Sequence, residues 1–172
     1  MQAIGKFLDS HLASVRKLVK IIIISIFALQ VLVVFSQVVW RFIFNNPFSW
    51  SEELARYFQV WLILLMSSVC IKKGKHLAVD YVTHALPYMY NKILKYIIMV
   101  FIMFFTCIVI IFSIHMIVVT INQKTPALHI PILVVYLAFP IAGLLMFLEA
   151  LILFLKLAGT KNEADLEALH SK

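Results

Sequence analysis

Hydrophobic residues occur in long runs, and the charged residues are concentrated in the segments between them. Four runs are almost free of charge: residues 21–40, 54–71, 96–123 and 125–148, and the last continues past Glu149 to residue 157. A helix needs about 20 apolar residues to cross the hydrocarbon core, and lipid admits only helices or closed barrels. The pattern therefore predicts an all-α membrane protein with transmembrane helices over residues 18–43, 53–71, 95–121 and 130–157.

The composition agrees with a lipid-embedded chain and excludes several other classes. Apolar residues make up 63% of the 172 residues and charged residues 13%, whereas soluble domains have roughly 45–50% and about 25%. This excludes a soluble enzyme, a disordered chain and a nucleic-acid-binding domain, although the net charge is +7. Cys70 and Cys107 lie in apolar runs and form no Cys-x-x-Cys motif, so no disulfide framework is indicated.

The distribution of lysine and arginine sets the expected orientation. Twelve of them lie in the N-terminal segment, in the loop between the second and third spans, and in the C-terminal tail, whereas Arg41, Arg56 and Lys124 lie on the other side. Because cytoplasmic segments carry the excess of basic residues, both termini are predicted to be cytoplasmic. The first apolar run is longer than the h-region of a cleaved signal peptide, so we expect it to be a true span.

Two segments outside the spans have the pattern of interfacial helices. Apolar side chains of residues 3–16 share one helical face, which predicts a short amphipathic helix on the membrane surface. A second interfacial segment is expected over residues 77–90, and a cytoplasmic tail over residues 159–172. His76, Asp80 and His84 recur every four residues, a spacing compatible with a metal site, but we favour polar groups solvated at the interface.

A polar cluster between the first two spans is the candidate functional site. Asn45-Asn46-Pro47 predicts a turn, and Ser49 with Glu52 fits a capping box that would start the second helix. The two acids lie within one helical turn of an arginine, so ion pairs between them are expected. One interpretation is a helix cap surrounded by interfacial anchor residues, and the other is a docking surface on the outer face. The cluster consists of Arg41, Trp50, Glu52, Glu53 and Arg56.

Two ionisable residues fall inside the predicted spans. Glu149 lies about two turns from Lys156 in the fourth span, and His115 lies in the outer half of the third. Because a charge in the membrane is costly, we expect Glu149 to be paired with another chain or with one of three lysines. His115 is expected to be a neutral hydrogen-bonding residue, and no second intramembrane histidine is present for a haem. The three lysines are Lys17, Lys20 and Lys95.

The predicted spans lack the features of a transport pathway. Transporter cores use broken helices and polar groups at the middle of the membrane. Here the spans contain one glycine, Gly143, and their polar residues are sparse and mostly uncharged. Such helices are better suited to a rigid scaffold that packs against a larger protein.

The residues around the second span resemble those of a known family. Residues 40–42 (Trp-Arg-Phe), 46–56 (Asn-Pro-Phe-Ser-Trp-Ser-Glu-Glu-Leu-Ala-Arg) and 60–61 (Val-Trp) are similar to the signature of the small membrane subunit of tripartite ATP-independent periplasmic (TRAP) transporters. Residues 73–80 (Lys-Gly-Lys-His-Leu-Ala-Val-Asp), which include His76 and Asp80, are similar to a second motif of that family on the cytoplasmic side. The motifs cover roughly residues 40–80, and the four-helix layout agrees along the whole chain.

The resemblance implies a transport function in which this chain carries no substrate site and no cofactor. It implies a larger membrane subunit that moves substrate and sodium by an elevator-like movement. It also implies a periplasmic binding protein that delivers an organic acid such as sialic acid or a C4-dicarboxylate. The chain would be a non-catalytic scaffold in the bacterial inner membrane, in contact with lipids, and would help to dock the binding protein. Overall similarity points to the sialic-acid branch.

Two other classes stay open at the level of the sequence. A self-sufficient homodimeric four-helix transporter would need an acid deep in the membrane, and Glu149 is the only candidate. A membrane oxidoreductase subunit would need paired histidines or cysteines in its spans, and the sequence does not supply them.

Overall fold

The computed structural model describes residues 2–44, 48–72 and 88–158. Its helices are α1 (Gln2–Ile43), α2 (Ser49–Lys72), α3 (Tyr88–Thr120), α4 (Leu133–Tyr136) and α5 (Ala138–Ala158). Four segments are long and apolar enough to cross a membrane, and α4 and α5 together form the last of them. The predicted all-α membrane fold with four spanning helices is confirmed. The four segments are Leu12–Ile43, Ser49–Lys72, Ile93–Thr120 and Leu133–Ala158.

Helix α1 continues through the boundary that was expected near residue 17. Residues 3–16 are therefore the N-terminal part of α1 and not a separate interfacial helix. The physical reason is that no glycine or proline lies between Arg16 and Ile21, and leucine, lysine and arginine are good helix formers. With 42 residues, α1 is about 60 Å long, roughly twice the thickness of the hydrocarbon core.

The last span is interrupted at Leu137, between α4 and α5. Pro140 is the third residue of α5 and has no N–H group, so it cannot donate to the carbonyl of Tyr136. The next bond, from the N–H of Ile141 to the carbonyl of Leu137, is long at 3.4 Å. The interruption is local, because the N–H of Leu137 still donates to the carbonyl of Leu133 at 2.9 Å.

Helix α5 is the central helix of the bundle. It packs against α3, α2 and α1, and α1 also packs against α2. Small side chains on α5 allow its neighbours to approach closely. At Gly143 an added Cβ atom would lie 2.9 Å from Cγ1 of Ile110 in α3. The α5 residues with no exposed surface are Ala138, Ala142 and Ala150.

Helix α3 has one buried face that repeats every seven residues. Because seven residues make about two helical turns, these positions form a single seam, which faces α5 where the carbonyl of Thr106 lies close to Gly143. The opposite face of α3 is apolar and largely exposed, with Phe101, Phe104 and Phe112 as its bulkiest residues. The seam consists of Met99, Thr106, Ser113 and Thr120.

The hydrophobic core joins α1, α2 and α5. Seven buried residues form it, and half-buried residues that include Trp61 and Met103 pack against it. The core therefore fixes α5 against the first two helices. The buried residues are Val19, Ile23, Leu65, Ile71, Ala142, Met146 and Ala150.

Several predicted segments lie wholly or partly outside the described residues. These are the turn at residues 45–47, the interfacial segment over residues 77–87 with His76 and Asp80, and the tail over residues 159–172. Residues 88–90, the end of the second predicted interfacial segment, are the first residues of α3.

Candidate functional site

The candidate site lies where α1 ends and α2 begins. We call this the turn end of the bundle, and the opposite end, where α2 and α5 finish, the terminal end. A run of aromatic rings connects the two helices at the turn end: Trp40 lies 4.4 Å from Phe44 and 4.9 Å from Phe48, and Phe48 lies 5.4 Å from Trp50, measured between ring centroids. Rings at these separations attract one another, so they hold the start of α2 against the end of α1.

The start of α2 differs from the predicted capping box. The helix begins at Ser49 itself, and the hydroxyl group bonded there is that of Ser51, which donates to the carbonyl of Phe48 at 2.7 Å. Glu52 accepts instead from Nη2 of Arg56 at 3.3 Å. The box does not form because Ser49 is already helical, whereas a capping residue must lie outside the helix.

Glu53 connects α2 to the loop that follows α3. Its Oε2 atom accepts hydrogen bonds from the N–H groups of Ala127 at 2.9 Å and Leu128 at 3.0 Å. Its Oε1 atom accepts from the hydroxyl group of Tyr57, one turn further along α2. Hydrogen bonds to an ionised carboxylate are roughly twice as strong as neutral ones. Glu53 is therefore a structural acceptor for a loop that is distant in sequence.

The loop bound by Glu53 also has hydrogen bonds of its own. The N–H of Thr125 donates to the carbonyl of Ile130 at 2.9 Å, and the N–H of Ile130 donates to Oγ1 of Thr125 at 3.1 Å. His129 has a positive φ of 56°, which closes the turn while its N–H donates to the carbonyl of Thr125. Thr125 is 2% exposed, so the loop is folded around a buried hydroxyl group.

A second contact fixes the beginning of the last span to α2. Nε1 of Trp61 donates to the carbonyl of Val134 in α4 at 3.2 Å. Trp61 lies two turns after Glu53 on the same face of α2. One face of α2 therefore holds both the loop and the beginning of the last span.

The other members of the predicted cluster are exposed. The ion pair between Glu52 and Arg56 has side chains that are 70% and 69% exposed. Trp50 is 42% exposed, and Arg41 is exposed in the last turn of α1. The structure thus separates two acids that are adjacent in sequence, because Glu53 is bound to the loop whereas Glu52 stays at the surface.

Glu149 lies near the terminal end and is paired. Its two carboxylate oxygens accept from Nε of Arg16 at 2.6 Å and from Nη2 of Arg16 at 2.7 Å. The side chains are 12% exposed for Arg16 and 6% for Glu149. The expectation that Glu149 is paired is met, but the partner is Arg16 and none of the three predicted lysines. The pair joins α1 to α5.

The chain matches a model of one protein family over residues 30–160. That model describes the DctQ component of tripartite ATP-independent periplasmic transporters. The chain belongs to the DctQ family. It is thus a multi-pass membrane protein and a small permease subunit of a TRAP transporter.

Individual DctQ relatives agree with this assignment. One protein of Haemophilus influenzae, described as a TRAP transporter small permease, is 31% identical over 132 residues, which are 77% of this chain and 82% of the relative. A second H. influenzae protein with the same description is 27% identical over 162 residues, 94% of this chain and 93% of the relative. The sialic acid TRAP transporter permease protein SiaT of H. influenzae is 34% identical over 55 residues, 32% of this chain and 9% of SiaT.

The other candidate residues in this DctQ chain are potential metal ligands, histidines and cysteines. Among the described residues no group of three His, Cys, Asp or Glu side chains is arranged to hold a metal ion. His115 lies on an exposed face of α3, and Cys70 and Cys107 are exposed free thiols. His76, Asp80 and His84 lie outside the described residues.

The sequence did not indicate the two loop N–H groups as partners of Glu53, or Arg16 as the partner of Glu149. Glu53, Tyr57 and Trp61 are spaced four residues apart, which places them on one face of a helix. This spacing could have indicated that Glu53 lies on the packed face of α2. Arg16 lies four residues after Leu12 and three before Val19, both of them buried. This spacing could have indicated that Arg16 lies on the buried face of α1. Backbone N–H groups of a loop have no sequence signal of their own.

Proposed function

We propose that this chain is the stationary, non-catalytic scaffold of a sodium-coupled TRAP transporter for organic acids. In this proposal a large membrane subunit carries sodium and the solute, and a periplasmic binding protein delivers the solute. Sialic acid is the favoured substrate because the relative SiaT is named for it, and C4-dicarboxylates are the alternative. The protein resides in the bacterial inner membrane.

The observation that carries this proposal is that buried polar groups in the described spans are bonded within the protein. The hydroxyl group of Ser68 donates to Leu65, that of Ser113 to Ile110 and that of Thr120 to Met116, each to a carbonyl of the same helix. Thr106 likewise donates to carbonyls one turn before it. Glu149 is neutralised by Arg16. These groups are thus bonded to other groups of the bundle, whereas a solute pathway would need polar groups that are available to bind the solute.

The exposed surface of the bundle supports a scaffold that is covered by lipid and by a larger subunit. Side chains on α1 such as Ile24, Phe27 and Phe35 are more than half exposed, and α3 exposes its phenylalanine face. In a membrane these surfaces are stable against lipid, and helix association there depends on close packing. The two outer helices therefore offer long apolar faces for a partner.

The turn end supports a docking role for the binding protein. Glu53 holds its loop and Trp61 holds the adjoining start of the last span, so the surface beside them has a fixed shape. The exposed groups there are Trp50, Arg41 and the ion pair of Glu52 with Arg56. We assign the docking contacts to these exposed residues, and we assign Glu53 to the support of the loop.

The distribution of charge supports an orientation with both termini in the cytoplasm. At the terminal end, the basic residues of the described helices are Lys6, Arg16, Lys17, Lys20, Lys72, Lys92, Lys95 and Lys156, and at the turn end the described basic residues are Arg41, Arg56 and Lys124. Because cytoplasmic ends carry the excess of basic residues, the turn end would face the periplasm, where the binding protein is found.

Reconstitution tests the proposal. Proteoliposomes would contain this chain alone, the large subunit alone, or both, each with the binding protein, sialic acid and an inward sodium gradient. The proposal predicts sodium-dependent uptake only when both chains are present. Uptake by this chain alone would contradict it and would favour the self-sufficient homodimeric transporter.

A further inference from the structure

A charged cleft lies at the terminal end, far along the bundle from the turn end. It is a shallow cleft, partly open to the surroundings, between α1, α2 and α5. Its lining combines ionisable and apolar side chains. The ionisable residues are Arg16, Lys20, Lys72 and Glu149. The apolar residues are Leu12, Val15, Val19, Val69 and Leu145.

The described residues that line the cleft have more cationic than acidic side chains. Three cationic side chains and one carboxylate line it, and the carboxylate of Glu149 is engaged on both oxygens by Arg16. The formal charges of the described lining residues therefore sum to +2. Lys20 comes from α1 and Lys72 from α2, and both residues are exposed. An anion in the cleft would thus meet ammonium groups from two helices.

The position of the cleft along the spans indicates which kind of molecule could carry the anion. Lys20 directly precedes the apolar run that begins at Ile21, and Lys72 is the last residue of α2. Both cations therefore lie where the apolar part of a helix ends, at the depth of phospholipid headgroups. The apolar wall of Val15, Val19 and Leu145 lies beside them.

We propose that this cleft binds an anionic phospholipid. Lys20 and Lys72 contact the phosphate of the headgroup, and an acyl chain lies along the apolar wall. Basic pockets between transmembrane helices suit such headgroups, and the apolar wall favours a lipid over a free phosphate ion. The Arg16–Glu149 pair keeps α1 and α5 together at the floor of the cleft. This inference requires that the chain spans a membrane, but it does not depend on the transport role.

Photocrosslinking tests the lipid site in the full chain, purified with any subunit that stays bound. The probe is phosphatidylglycerol with a photoreactive group in its acyl chain, and labelled peptides are identified by mass spectrometry. The test variant is Lys20→Gln/Lys72→Gln. The matched control is Lys17→Gln/Lys124→Gln, which removes the same charge from exposed lysines that do not line the cleft.

The expected result is labelling of peptides that contain Val15, Val69 and Leu145, lowered about tenfold or more in the test variant and unchanged in the control. The same probe built on phosphatidylcholine is expected to label these peptides weakly. Equal losses in both variants, or equal labelling by phosphatidylcholine, would overturn the proposal. Displacement of the probe by inorganic phosphate, beyond that by sodium chloride of equal ionic strength, would overturn the lipid in favour of a free anion.

Discussion

The two ends of the bundle each depend on one carboxylate, and they use it differently. At the turn end Glu53 accepts hydrogen bonds from two backbone N–H groups and a tyrosine hydroxyl. At the terminal end Glu149 is paired with the guanidinium of Arg16 through both oxygens. Glu53 is half-buried, whereas Glu149 is 4% exposed.

The difference follows from the environment of each acid. A carboxylate that keeps some contact with solvent is stabilised adequately by hydrogen bonds, and these can shape a loop. A carboxylate buried among apolar helices needs an opposite charge, since desolvation of an unpaired ion costs several kcal/mol. Glu53 therefore determines the shape of a surface, and Glu149 fixes the position of one helix relative to another.

The largest effect is expected when the buried pair is broken. Arg16→Ala leaves Glu149 as an uncompensated buried charge, and loss of one partner of such a pair costs about 3–5 kcal/mol. Thermal unfolding in detergent, followed by tryptophan fluorescence, should show a large drop in melting temperature. The control Arg16→Met/Glu149→Leu replaces both charges with apolar groups and should recover most of the loss. An unchanged melting temperature in Arg16→Ala would show that the pair is not structural.

A smaller effect is expected at the turn end. Glu53→Ala leaves the N–H groups of Ala127 and Leu128 without their acceptor, at a cost of about 1–3 kcal/mol. Hydrogen exchange at these two amides should become faster, and exchange near Arg16 should not change. Glu52→Ala is the matched control, because its exposed pair with Arg56 does not hold the loop. If both variants exchange alike at Ala127, the loop does not depend on Glu53.

A third change affects the packing of α5 against α3, between the two ends of the bundle. Gly143→Ala places a methyl group against Ile110, and overpacking outweighs the gain in helix propensity by about 1 kcal/mol. The melting temperature should fall slightly, without a change in hydrogen exchange at Ala127. The double variant Gly143→Ala/Ile110→Ala removes the close contact, so it should be no less stable than Ile110→Ala alone. A larger loss in the double variant would contradict the packing described for α3 and α5.

The smallest effect on stability is expected for the exposed ion pair. Glu52→Lys should change the free energy of unfolding by less than about 1 kcal/mol. Uptake by the complete transporter should nevertheless fall, because the changed charge lies on the proposed docking surface. The effect should appear as a higher concentration of binding protein for half-maximal uptake. Normal uptake at every concentration would remove Glu52 from that surface.

The sequence predicted the four spans well, because uncharged apolar runs of sufficient length have few alternatives in lipid. It predicted the end of the first membrane helix near Ile43 and the beginning of the next near Ser49. It did not predict that α1 continues from Gln2 through Arg16, since the amphipathic pattern of residues 3–16 is the same in a separate helix and in a continuous one.

The partners of the acids could be predicted only in part. The sequence indicated that Glu149 needs a partner, but the choice among several basic residues depends on which faces of α1 and α5 meet. Glu52 and Glu53 are equivalent in a motif, and their difference arises from a contact with a loop about 74 residues away. Such contacts depend on the packing of α5 between its neighbours, and local pattern does not encode them.

In the proposed scaffold, the polar groups inside this chain support its own helices and do not guide a solute. The most direct test is uptake by the reconstituted transporter that carries Ser68→Ala, Thr106→Val, Ser113→Ala and Thr120→Val together. Each substitution removes a hydroxyl group that donates to backbone carbonyls of its own helix, one carbonyl for Ser68, Ser113 and Thr120 and two for Thr106. We expect unchanged half-saturating concentrations of solute and sodium. A marked increase in either value, with the complex still assembled, would contradict it.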